Sequence, residues 1–151
     1  MRWIQAFVLL TVALVPFRSF SSENLVVFRK PSGEFSAQSR ENAKAIHRIA
    51  SESGYVTLSL MLKYPYDVHA ENDDPEYHAQ QNDDVKRQFK DLLRPYVQKG
   101  EVWLPKNGAY FSGPSTIVRA SAKGFRGLVK DDRIAQIVAM GGQSYGMKQG
   151  E

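Results

Sequence analysis

The residues best equipped for chemistry cluster between Pro65 and Gln81, where His69, Glu71, Asp73, Asp74, Glu76 and His78 share one polar stretch. Imidazoles mixed with carboxylates are the ligand set of divalent metals. Their spacing fits neither a calcium loop nor a metal-binding H-E-x-x-H helix. A solvated loop without metal or cofactor is therefore expected. His47, beside Ile46 and Ile49, is expected on a helix flank. Carboxylates also pair as Asp73-Asp74, Asp83-Asp84 and Asp131-Asp132. Adjacent side chains diverge on a helix or strand, so these pairs suit capping and solubility rather than a shared proton. There is no cysteine, which excludes thiol catalysis, thiolate metal sites and disulfides. No G-x-S-x-G elbow and no phosphate-cradling glycine loop occurs. The chain is expected not to be an enzyme.

Aromatic residues offer a different chemistry. Trp103, Tyr110 and Phe111, with Lys106 and Arg119, could stack nucleic-acid bases on a sheet. The same residue types dominate protein interfaces. Trp103 also suits a core. The net charge is only +4 and the basic residues are scattered, so no basic stripe points to nucleic acid.

The elements that must position these residues are legible in the periodicity. Leu25 to Phe28 is a short apolar run followed by the turn residues Lys30-Pro31-Ser32-Gly33. Ala43, Ile46, Ile49 and Ala50 recur at helical spacing, predicting a helix over about 37–52, capped by Ser36 and stopped by Gly54. Residues 55–64 alternate, with Val56, Leu58, Leu60, Leu62 and Tyr64 on one face and Thr57, Ser59 and Lys63 on the other. That period of two predicts a half-buried strand. Residues 65–81 read as an exposed loop with room for a helical turn near its end. Val85, Phe89, Leu92, Leu93, Tyr96 and Val97 mark the stripe of a long helix, with Asp83 and Asp84 at its start and Gly100 beyond its end. Pro95 threatens its last turn. A strand follows at 102–104, turns around 105–108 and 112–114, and a third strand at 116–122. A short glycine-containing helix at 124–132 and a fourth strand at 133–140 complete the pattern. Gly141-Gly142 then releases a tail.

From residue 55 the order is β-α-β-β-α-β. That order predicts an α+β, ferredoxin-like domain with a four-stranded antiparallel sheet and both helices on one face. Residues 22–54 are then an N-terminal strand-helix extension, and 141–151 a flexible tail.

The N-terminus predicts export. Met1-Arg2 precedes a run from Trp3 to Phe17 broken only by Gln5 and Thr11, and Ser19 and Ser21 supply a small-x-small site. This reads as a signal peptide over 1–21, cleaved after Ser21. The run falls short of the about 20 apolar residues needed to span a bilayer. A periplasmic or extracellular monomer, free of membrane after cleavage, is expected. Export argues against RNA as a partner.

Residues 102–137 also carry a family likeness. Val102-Trp103-Leu104, a turn-rich hairpin, Ser115 to Ala122, and then Phe125-x-x-Leu128-x-x-Asp131-Asp132-x-Ile134-x-x-Ile137 resemble the subtilisin propeptide family. That family includes free-standing inhibitors of subtilisin-like serine proteases. Asp131-Asp132-Arg133-Ile134 stands where the family has D-P-x-V, so the proline is missing. The likeness covers about residues 55–145, and 22–54 have no counterpart. With no protease after Glu151, the expectation is a stand-alone inhibitor or a chaperone acting in trans. The resemblance implies that the sheet packs on protease helices. It further implies that Gly141, Gly142, Gln143, Ser144 and Tyr145 enter the substrate cleft as an added strand, with Tyr145 at the specificity pocket.

Overall fold

The computed structural model describes residues 25–105 and 111–140. The element order is β1 (Leu25–Phe28), α1 (Ala37–Ser53), β2 (Val56–Leu62), α2 (Ala70–Asp73), α3 (Pro75–Gln98), β3 (Val102–Trp103), β4 (Phe111–Ser112), β5 (Ser115–Ala120), α4 (Ala122–Lys130) and β6 (Ile134–Ala139). This is an α+β architecture. The strands form one six-stranded sheet in the order β1-β6-β2-β5-β3, with β4 pairing β5, and every pairing is antiparallel.

Local signals explain the elements. The Ser36 side chain accepts from the Ser39 amide at the start of α1, and Gly54 ends that helix at φ +81°. The left-handed cap is the conformation that glycine adopts without steric cost. In β2 the buried residues are Val56, Leu58, Leu60 and Leu62, the phase set by the alternation. Opposite them, in register, stand Ala120, Val118 and Thr116 of β5 and Ala139 and Ile137 of β6. Phe89 and Leu92 of α3, Phe125 and Leu128 of α4, and Ile46 of α1 close the same face, each at most 1 % exposed. Burying one such side chain contributes about 1.5–3 kcal/mol.

Three expectations need correction. First, the sheet is wider than four strands. Residues 25–28 are not an appendage but join the β6 edge, with Leu25 opposite Ala139 and Phe28 opposite Gln136. The outer edge of β1 is then covered by α1. Ser39 Oγ accepts from the Phe28 amide at 3.1 Å and donates to the Phe28 carbonyl at 3.2 Å. Asn42 Nδ2 donates to the Val26 carbonyl at 2.8 Å. These side chains satisfy strand groups that would otherwise recruit another chain. Strand and helix of the N-terminal segment thus finish the sheet together.

Second, α3 begins about two turns before Asp83. Asp74 caps it by accepting from the Tyr77 amide at 3.0 Å, and Pro75 occupies the first turn. Proline is preorganised there and its missing N–H is no loss. Much of the stretch read as a loop is therefore helix. Third, Pro95 does not end α3, which continues to Gln98. Its ring lies on the exposed side.

Two glycines set the spacing of α4. A Cβ on Gly124 would meet the Glu101 backbone and Val102 Cγ2, and one on Gly127 would meet the Tyr96 ring. Ser121 joins the same contact, donating to the Glu101 carbonyl from its amide at 2.9 Å and its hydroxyl at 3.1 Å.

Candidate protein-binding surface

The side chains of β1, β6, β2, β5 and β3 that miss the core share the other sheet face, which carries no helix among the described residues. Pairing sorts them into three rows. Phe28, Gln136, Met61 and Ser115 form one. Val26, Val138, Ser59 and Ile117 form the next. The third holds Thr57, Arg119 and Trp103. The Met140 amide donates to the Thr57 carbonyl at 3.0 Å, so the chain leaves β6 alongside that third row.

This face is unusually apolar for a wet surface. Phe28 is 49 % exposed, Trp103 43 % and Met61 38 %. Beside Trp103, the Arg119 guanidinium lies 3.5 Å from the centroid of the Tyr55 ring. Stacking on Tyr55 holds the cation at the surface through its attraction to the ring quadrupole. A fixed arginine between a tyrosine and an exposed tryptophan is the composition of an interface anchor.

The aromatic residues singled out in the sequence do not act together. Trp103 lies on the open face. Phe111 lies on the covered one, opposite Thr116 and with its ring 5.8 Å from that of Phe89. It is half-buried against the core, so it is a packing residue and not a partner of Trp103. Tyr110 and Lys106 lie outside the described residues, as do Gly141, Gly142, Gln143, Ser144, Tyr145 and the whole of 1–21. Tyr55, Met61 and Phe28 were missed. The alternation of β2 contained the signal for two of them, since Tyr55 and Met61 fall in the same phase as Thr57 and Ser59.

The histidine-carboxylate stretch does different work. His78 Nε2 lies 3.0 Å from Tyr66 Oη and 3.1 Å from Asn82 Nδ2, and Tyr66 Oη donates to Asn82 Oδ1 at 2.7 Å. Gln81, 1 % exposed, accepts from the Asp67 amide and donates to the Asp67 carbonyl. These bonds fasten the segment after β2 to α3. Among the described residues, no group of three or more His, Asp or Glu stands close enough to hold a metal. No helix among them is long and apolar enough to cross a membrane.

Asp131 and Arg133 form a charge pair joined by three hydrogen bonds. Arg133 donates through Nε at 2.9 Å, Nη2 at 2.6 Å and its amide at 3.1 Å. These bonds hold the Asp131 carboxyl below the usual carboxylate range. The pair shapes the turn into β6, where the family likeness lacked its proline. Burial raises the Tyr96 phenol, and the nearby Asp131 charge adds to the rise.

No protein-family model matches this chain, and neither a curated protein nor a solved structure does.

Proposed function

We propose that this chain is an exported, non-enzymatic binding domain of ferredoxin-like type that inhibits, or chaperones in trans, a subtilisin-like serine protease. The observation that carries the reading is the pairing of an open, apolar sheet face with the chain exit beside it. The order β6-β2-β5-β3, antiparallel throughout, with α3 and α4 on the far side, supports the ferredoxin-like assignment. The row of Thr57, Arg119 and Trp103 next to Met140 supports a two-part contact. The sheet would anchor on the protease surface, and Gly141 to Tyr145 would lie in the cleft as an added strand. Ordering a glycine-rich tail costs about 1–2 kcal/mol per residue. Most of the affinity must therefore come from the sheet face.

The test is inhibition of a panel of subtilisin-like proteases by the segment from Ser22 to Glu151. Inhibition at about micromolar concentration is expected, weakened by Trp103→Ala and lost on deleting 141–151. A protein that leaves every such protease untouched refutes the reading. A second reading is an exported binding domain with an unrelated protein partner. β1 favours it, because Val26 and Phe28 widen the open face beyond the four strands of the propeptide pattern. Deletion of 141–151 would then leave binding intact.

A further inference from the structure

A second surface lies on the helix side of the molecule, away from the open sheet face. Between α1 and α4 runs a groove of about 340 Å³ lined by Ala43, Lys44, His47, Phe125, Arg126, Val129 and Lys130. Ala43, Phe125 and Val129 supply its apolar lining. Its ionisable lining residues are all basic or imidazole. Lys44 pairs with Glu41 at 2.8 Å, with both side chains mostly in solvent. Arg126 and Lys130 have no ion-pair partner among the described residues. Among the described residues, His47 Nε2 is buried without a hydrogen-bond partner, and a buried polar atom left unpaired is costly.

We propose that this groove docks an acidic peptide segment of a partner protein, with apolar side chains on the floor and carboxylates at the rim. Charge complementarity selects the occupant. Carboxylates of the peptide give Arg126 and Lys130 the ion-pair partners that no described residue supplies. One turn of α1 separates Ala43 from His47, and little more than one turn of α4 separates Phe125 from Lys130, so the floor accommodates only two or three side chains. Such an open, short groove suits a linear segment better than an enclosed small molecule. The inference does not rest on the protease reading, which uses the opposite face.

The test is an NMR titration of the ¹⁵N-labelled protein with a capped Glu-Glu-Leu-Phe-Glu-Glu peptide, its Lys-flanked counterpart and decanoate. The acidic peptide is expected to shift amides of Ala43, His47, Phe125 and Lys130, and to bind at least tenfold more tightly than the basic one. Arg126→Glu with Lys130→Glu should weaken it about tenfold, as expected for two exposed charge contacts. Salt at 0.5 M should weaken it severalfold by screening. Ala43→Leu, which fills the floor and keeps the charges, should also weaken it, with the urea midpoint confirming an intact fold. Equal binding of both peptides, shifts confined to other residues, tighter binding of decanoate, or no binding at about 1 mM overturns the proposal.

Discussion

Gly124→Ala sets two principles against each other, and the structure decides between them. Replacing a helical glycine by alanine normally stabilises by about 1 kcal/mol, through lower backbone entropy in the unfolded chain. At Gly124 the new Cβ would overlap the Glu101 carbonyl oxygen, lie 2.9 Å from the Glu101 carbonyl carbon and lie 3.1 Å from Val102 Cγ2. The obstacle is mainly backbone, which cannot rotate away. α4 must withdraw from the start of β3, and Ser121 then loses its two bonds to the Glu101 carbonyl. Overpacking of this kind costs about 1–3 kcal/mol, and each weakened hydrogen bond about 1 kcal/mol. After crediting the propensity gain, a net loss of about 2–4 kcal/mol is expected. Urea unfolding followed by circular dichroism should show a midpoint lower by about 1–2 M, given a slope of about 2 kcal/mol/M. Gly127→Ala is the control. Its Cβ meets the Tyr96 ring, with Cζ and Oη both at 3.1 Å, and a half-buried ring can swing aside. Its loss should be less than half as large. A Gly124→Ala midpoint equal to or above that of the parent would refute the close approach of α4 to β3.

Four other substitutions have defined outcomes. Asp131 is held below the ordinary carboxylate value by Arg133, so its contribution is full above about pH 4 and is lost as pH falls through the lowered value. Urea midpoints from pH 6 to pH 2 should therefore fall more steeply for the parent than for Asp131→Asn. Ser39→Ala removes the hydroxyl that serves both groups of Phe28. It should cost about 1–2 kcal/mol, and hydrogen exchange at β1 should accelerate more than at β2. Trp103→Ala should leave the urea midpoint nearly unchanged while weakening partner binding. Phe111→Ala should instead cost about 1–2 kcal/mol, part of the 3–5 kcal/mol of a fully buried phenylalanine.

Much of this protein is written in short-range signals. Ser36 and Gly54 bound α1 because caps act within one turn. Alternation marked the buried phase of β2 because the strand period is two residues. The lack of cysteine excluded thiol chemistry from composition alone. The start of α3 was also present, as Asp74 followed by Pro75, but the surrounding acidic residues read equally well as a loop. What only the tertiary structure decided are the pairings between distant residues. Nothing local in Leu25–Phe28 specifies β6 as its partner, because sheet pairing depends on edges that exist only once the sheet has formed. Nor does the spacing of Trp103 and Phe111 reveal that one faces solvent and the other Phe89, since each side is set by register with β5. Gly124 reads locally as a weak helix residue. Its reason is the Glu101 backbone, which is brought against it only when α4 folds over the start of β3.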